Sequence, residues 1–228
     1  MPLRRHEVTR LEGFSDAVFG FALTLLVVSL EVPNSVDELL KDMQGLVGFA
    51  LTFAMVCWIW YEHNVFFRSY GPQDQWTVFL NCVLLFVVLF YVYPLKFLSA
   101  ALMQSFFDIG RVDGPRFRSL ADGPRLMILY SSGVVLIFLL FVLLYRHAWK
   151  KRATLDLTEK EELSLKFGLR AHLLSMGLGL TSLAIVLMNG RWAPIAGMLY
   201  GLMGPLHAWN GYRAGKAHHQ LEARAEGS

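Results

Sequence analysis

The amino-acid sequence predicts an all-α integral membrane protein with six transmembrane helices and with both termini in the cytoplasm. Hydrophobic residues make up 55% of the 228 positions and charged residues only 17%, unlike the average soluble domain. Six stretches are apolar enough to cross a bilayer as helices, which takes roughly 20 residues each. Lys and Arg are concentrated in alternate loops, a bias that orients membrane proteins.

The first apolar stretch, residues 17–30, lies between Asp16 and Glu31 and is too short to cross the membrane unless Asp16 enters it. A basic segment before an apolar run is also typical of a signal peptide. However, Asp16 interrupts the run, and Glu31-Val32-Pro33 offers no small-residue cleavage site. We therefore predict a transmembrane helix that carries an ionisable residue, and such residues mark functional or structural sites.

The other five stretches contain no Asp, Glu, Lys or Arg and cover residues 43–61, 76–95, 126–145, 171–190 and 192–212. They predict a single six-helix domain over residues 1–212 and a polar cytoplasmic tail over 213–228, which we expect to fray. Fourteen Lys and Arg residues flank the helices on the side of the N-terminus, against six on the opposite side. This asymmetry places both termini inside. Small residues at 177, 179, 197, 201 and 204 indicate close helix packing.

Composition and motifs exclude several classes of function. The net charge of +3 is small for a nucleic-acid-binding protein. No Gly-rich phosphate loop or Gly-x-Ser-x-Gly motif occurs, so we predict neither an enzyme nor catalytic residues. His63, His172 and His207 stand on different predicted helices, without the short spacing of zinc ligands. We therefore expect no metal site, no haem and no other cofactor. Cys57 and Cys82 lie inside apolar stretches, and we interpret them as buried thiols that form no disulfide.

Polar residues gather at one predicted depth of the membrane. Because successive helices alternate in direction, Ser15, Asp16, His63 and Asn81 fall in its cytoplasmic third, together with His172 and His207. One interpretation is a hydrogen-bonded network that holds the helices together. The other is an ion or proton path. The outer two thirds contain almost no ionisable groups, which favours the first interpretation.

The start of the first helix carries the pattern Arg-x-x-x-Phe-Ser-Asp at Arg10, Phe14, Ser15 and Asp16. It resembles the signature of the transmembrane protein 175 family, the lysosomal potassium channels and their prokaryotic relatives. The resemblance implies a homotetramer in a prokaryotic plasma membrane that conducts potassium ions along a central pore lined by the first helix. It also implies a gate made of apolar side chains, in place of a Thr-Val-Gly-Tyr-Gly filter.

In this family the Arg and the Phe-Ser-Asp residues hold the pore helix in a polar network with the second and third helices. The resemblance thus assigns Arg10, Ser15 and Asp16 to such a network. His63 and Asn81 are the partners expected from their depth. Trp60, near the inner end of the second helix, is a further candidate.

Helix periodicity predicts which side chains line the pore. Phe14, Phe21, Leu25 and Val28 form one stripe, with Thr24 beside it and Asp16 turned away. Phe21 stands five residues after Asp16, where the family usually has Ile or Leu at the constriction. Its ring could block the pore, gate it, or offer cations a ring face. Alternatively, Phe21 faces lipid or another helix, and Leu25 with Val28 forms the narrowest ring.

Three functional hypotheses follow from these features. The first is a tetrameric, potassium-preferring cation channel with a hydrophobic gate. The alternative is a proton-coupled secondary transporter that uses Asp16 and His63, with substrate-binding breaks at Pro194 and Pro205. The third is a non-conducting membrane scaffold. The number of chains per assembly separates the first two, because the channel needs four.

Overall fold

The computed structural model describes residues 8–28, 34–44, 46–107 and 122–226. The regular elements in these ranges are all helices, and the ranges contain no β-strand. The α-helices are α1 (Arg10–Val28), α2 (Val36–Gln44), α3 (Leu46–Ser69), α4 (Gln75–Phe107), α5 (Asp122–Lys150), α6 (Glu159–Met188), α7 (Ala193–Met198) and α8 (Met203–Glu226).

The helices occupy the six predicted stretches, which confirms the all-α membrane fold. Within the described ranges, four helices are long and apolar enough to cross a membrane: Leu46–Ser69, Gln75–Ala101, Asp122–Lys150 and Glu159–Met188. The first stretch forms α1, and the sixth forms α7 and α8. The short α2, between the first two stretches, is an element that the sequence analysis did not predict.

The sixth stretch is not the single helix that we predicted. It consists of a 3₁₀ turn at Gly190–Trp192, then α7, a second 3₁₀ turn at Leu199–Leu202, and α8. Pro194 and Pro205 lie in the first turns of α7 and α8. A proline fits there because the first backbone N–H groups of a helix have no partner within it.

The prediction that the polar tail frays was wrong, because α8 continues to Glu226. Side chains of this last part bind the start of α6. Lys160 Nζ donates to Glu222 Oε1 at 2.8 Å, and the hydroxyl of Ser164 lies 3.0 Å from His218 Nε2. These contacts give the tail partners that composition alone does not reveal.

The hydrophobic core joins α1 to the longer helices. Among the described side chains of α1, the buried apolar ones are Phe19, Ala22 and Leu26. They belong to a core that also includes side chains of α3, α4, α5 and α6. A smaller cluster of Val186, Ala193 and Ala196 packs α6 against α7. Both cysteines are free thiols, but the expectation that they are buried was wrong for the subunit: Cys57 is half-buried and Cys82 is exposed.

Asp74 links the start of α4 to the end of α5. Its Oδ1 accepts a hydrogen bond from the backbone N–H of Thr77 at 2.8 Å, so it caps α4. Its Oδ2 lies 2.6 Å from Lys151 Nζ and 2.7 Å from His147 Nε2. Burial alone would raise the pKa of Asp74, but hydrogen bonds from Lys151 and His147 outweigh burial and hold this pKa well below its ordinary range.

Candidate functional site

Helix α1 has one buried face and one exposed face in the subunit. Ser15, Phe19 and Ala22 are buried against the neighbouring helices. The predicted stripe lies on the opposite side, where Phe14, Phe21 and Leu25 are 54%, 68% and 55% exposed and Thr24 is also exposed. Val28 is the last residue of α1, and its side chain lies outside the described part of the structure.

Ser15, Asn81 and His63 form a buried chain of hydrogen bonds across three helices. Asn81 Nδ2 donates to Ser15 Oγ at 2.9 Å, and Ser15 Oγ in turn donates to the carbonyl of Leu11. His63 Nε2 lies 2.7 Å from Asn81 Oδ1, which can only accept, so the imidazole donates. The chain connects α1 to α4 and α4 to α3, and its three side chains are at most 1% exposed.

Asp16 is bound to Trp60, the further candidate of the sequence analysis, and not to His63 or Asn81. The indole Nε1 donates to Asp16 Oδ1 at 2.8 Å. Asp16 is exposed and Ser15 is buried, so the two neighbouring motif residues hold α1 from different sides. One side contacts α3 and the other contacts α4.

Arg10 stands apart from these bonds. It begins α1 with an exposed side chain, and it forms no ion pair with another residue of the described ranges. The structure therefore brings together Ser15, Asn81 and His63 on one side and Asp16 with Trp60 on the other, without Arg10.

Glu12 is a buried residue of this site that the motif alone did not predict. Its carboxylate is 5% exposed and accepts a hydrogen bond from the backbone N–H of Thr9 at 2.7 Å. The hydroxyl of Thr9 accepts from the backbone N–H of Glu12 at 3.2 Å, so the two residues form a capping box at the start of α1. The spacing Thr-x-x-Glu before an apolar run is the signal that predicts this cap. This capping box fixes the residue at which α1 begins.

A second polar cluster lies between α3, α5, α6 and α8. His172 is 1% exposed, stacks on the ring of Phe141 at 4.8 Å between centroids, and has Nε2 3.7 Å from Glu62 Oε2. Ser175 Oγ lies 2.8 Å from His207 Nε2. Among the described residues, no group of three His, Cys, Asp or Glu side chains could hold a metal ion.

Comparison with protein-family models matches residues 10–91 to the family described as "Endosomal/lysosomal potassium channel TMEM175". The matched range covers α1, α2, α3 and the first half of α4. It contains the described hydrogen bonds of Ser15 and Asp16. Among curated proteins, a potassium channel of Marivirga tractuosa is 41% identical over 212 residues, which cover 89% of this chain and 86% of that protein. A potassium channel of Chamaesiphon minutus is 28% identical over 158 residues, 66% of this chain and 68% of that protein.

Solved structures show the same relationship. The fold matches the crystal structure of a variant of the potassium channel MtTMEM175, in complex with a nanobody fusion protein. That match has a TM-score of 0.82 and 38% identity, and it covers 94% of this chain and 97% of the other. A TMEM175 homologue from Chamaesiphon minutus, at 23% identity with a TM-score of 0.55, shares the fold over 90% of this chain and 96% of the other. These relatives are channels and not enzymes, and this chain belongs to the TMEM175 family of potassium channels.

Proposed function

We propose that this chain is one subunit of a homotetrameric cation channel that prefers potassium, in a prokaryotic plasma membrane. The two curated relatives described above are both named potassium channels. The sequence contains the Phe-Ser-Asp motif once, and for such a chain the family resemblance implies four subunits around a central pore lined by α1. The N-terminus and the polar end of α8 lie on the cytoplasmic side in this arrangement.

The exposed face of α1 has a composition that suits a pore better than lipid. Asp16 is exposed at its edge, and a carboxylate facing hydrocarbon is costly. Gly13 and Gly20 also lie on this face, with no side chain near the position that a Cβ would take. Small residues allow helices to approach one another closely. We therefore assign this face to contacts with water and with α1 of the neighbouring subunits.

Phe21 and Leu25 form the proposed gate, and the 68% exposure of Phe21 is the observation that carries this assignment. Four copies of an apolar ring at one level of a narrow pore exclude water and so gate it by dewetting. The neighbouring Thr24 is exposed, and its hydroxyl donates to the carbonyl of Phe21 at 2.8 Å. Its oxygen can still accept, so a polar atom lies beside the apolar ring.

Potassium flux into liposomes that contain the purified protein tests this function, with sodium and proton gradients as controls. The proposal expects passive potassium flux without a proton gradient, from assemblies in which crosslinking traps four chains. Silent but folded tetramers would support the scaffold hypothesis instead. Flux that needs a proton gradient and comes from single chains would support the transporter hypothesis.

One observation favours the transporter hypothesis as a second candidate. The 3₁₀ turn at Leu199–Leu202 interrupts the sixth stretch, and discontinuous helices form substrate sites in many transporters. However, this break packs on α6, whereas Asp16 and His63 lie on α1 and α3. The hydrogen bonds of Asp16 and His63 also go to different partners. The proposed protonation site and the break are therefore on separate parts of the subunit.

A further inference from the structure

Two guanidinium groups meet at the indole ring of Trp209 on α8. The Cζ atoms of Arg170 and Arg213 lie 4.5 Å and 5.4 Å from the centroid of the ring. Within the described ranges neither arginine is paired with a carboxylate. No acid of the described ranges therefore neutralises either charge, and an anion bound beside the ring would do so.

All three residues lie at the edge of the predicted membrane. Arg170 directly precedes the apolar stretch of residues 171–190, and Arg213 directly follows the stretch of residues 192–212. The helices α6 and α8 that carry them are in contact. Trp209 is 45% exposed, and tryptophan is enriched at the level of lipid headgroups. The guanidinium groups of Arg170 and Arg213 therefore lie at the depth of the phospholipid phosphates.

A second tryptophan in the same part of the molecule provides an internal comparison. The ring of Trp149 also contacts two basic side chains, with Arg152 Cζ at 4.5 Å and Lys166 Nζ at 4.9 Å. There, however, Arg152 Nε lies 3.7 Å from Glu162 Oε1, so a carboxylate of the chain already neutralises part of the charge. At Trp209 the described chain supplies no such acid.

We propose that Arg170, Trp209 and Arg213 bind the phosphate of an anionic phospholipid in the cytoplasmic leaflet. Guanidinium groups donate paired hydrogen bonds to phosphate oxygens, and the indole holds both guanidinium planes in place. The acyl chains would lie along the apolar surface next to the site. Leu173, one turn further along α6, is 43% exposed there.

Native mass spectrometry of the full-length protein in detergent tests this site, with phosphatidylglycerol and phosphatidylcholine of equal chain length as probes. We expect phosphatidylglycerol to bind more tightly, and its affinity to fall roughly fivefold in Arg170→Gln or Arg213→Gln. Lys216→Gln is the matched control, because it removes one charge from an exposed residue one turn beyond Arg213. The affinity of this control variant for phosphatidylglycerol should stay close to that of the wild type.

Three results would overturn the proposal. The first is an equal loss in Lys216→Gln, which indicates diffuse attraction to the basic surface. The second is full competition by inorganic phosphate at millimolar concentration, which indicates a site for a soluble anion. The third is unchanged lipid binding in the Arg170→Gln and Arg213→Gln double variant. If a Gln variant does not fold, Arg213→Lys keeps the charge but loses the planar fork, and it should still weaken binding of phosphatidylglycerol.

Discussion

The indole nitrogen of Trp60 donates a 2.8 Å hydrogen bond to the carboxylate of Asp16 and thereby joins α3 to the exposed side of α1. Ser15 directly precedes Asp16 in sequence. It accepts a hydrogen bond from Asn81 on the buried side and joins α1 to α4. Adjacent residues of one motif therefore hold α1 through two helices. Fixing a helix from two sides sets its rotation, and the rotation of α1 determines which side chains face the proposed pore.

Replacing Trp60 by Phe should weaken this attachment while it keeps most of the ring. The change removes the only donor of the indole. A hydrogen bond to a charged group contributes about 1.5–3 kcal/mol, and we expect a loss at the lower end because Asp16 is exposed. Crosslinking should then trap fewer tetramers, and Asp16→Asn should act in the same direction. Trp76→Phe, at an exposed tryptophan of α4, is the control. A variant that assembles normally but changes its ion preference would contradict the structural role of Asp16.

Loss of the Ser15 hydroxyl should destabilise the subunit more than loss of a similar hydroxyl elsewhere. Ser15 and Ser132 each donate to the carbonyl four residues earlier at 2.7 Å, but only Ser15 also accepts an interhelical hydrogen bond from Asn81. Ser15→Ala leaves Asn81 Nδ2 buried without an acceptor, a loss of about 1–3 kcal/mol. Thermal unfolding in detergent should show this decrease for Ser15→Ala and almost none for Ser132→Ala. Equal effects would contradict a special role of the Ser15 hydroxyl.

Two features of this site could be predicted from the sequence: which residues share a face of α1, and which polar residues share a depth. The spacing of apolar residues in α1 places Phe14, Phe21 and Leu25 on one face, and the structure has all three on the exposed face. Alternating helix direction places Ser15, His63 and Asn81 at one depth, and they form one hydrogen-bonded chain. Depth alone does not determine rotation about the helix axis, and therefore it did not assign Trp60 as the partner of Asp16.

Other features depend on contacts that have no periodic pattern. The predicted close packing is present at Gly179, where an added Cβ would lie 3.0 Å from a methyl group of Val135. Gly177, Gly201 and Gly204 have no neighbour within 4 Å of that position in the subunit. Spacing identifies small residues but not the helix that faces them, because that choice depends on the rotation of both helices.

Phe21→Ala should raise potassium flux, because it replaces four rings of the proposed constriction with methyl groups and lowers the cost of wetting it. If the rings raise the barrier by about 1.4 kcal/mol, flux should increase about tenfold. Phe86→Ala is the matched control, since Phe86 on α4 is 67% exposed, almost as much as Phe21. Liposome flux should not change in this control. Unchanged flux in Phe21→Ala would move the constriction to Leu25 and Val28.

Asp74→Asn should lower stability at neutral pH, and by less as the pH falls below about 4. A carboxyl whose pKa is lowered by folding stabilises the protein above its ordinary pKa of about 4, and this stabilisation is lost as the pH falls toward the lowered value. Asn is as good an N-cap as Asp, so the substitution removes the charge and keeps the cap. We expect about 1–2 kcal/mol less stability at pH 7 and a smaller difference below about pH 4. Thermal unfolding of both proteins in detergent, at pH 7 and below about pH 4, measures this difference in stability. A difference that does not change with pH would exclude the charge as its cause.

Gly133→Ala should disrupt the contact between α5 and α4. An added Cβ would overlap the ring of Tyr91, which is only 9% exposed and donates a hydrogen bond to the carbonyl of Leu129 at 3.2 Å. Because this ring is buried and its hydroxyl is hydrogen-bonded, it cannot move away without cost. Overpacking of this kind typically costs about 1–3 kcal/mol. Gly177→Ala is the control. At Gly177 an added Cβ has no neighbour within 4 Å. This substitution should stabilise α6 slightly, because Ala favours a helix by about 1 kcal/mol over Gly. A lower melting temperature for Gly133→Ala with an unchanged or higher one for Gly177→Ala would attribute the loss to the Tyr91 contact, whereas equal losses would attribute it to helix glycines in general.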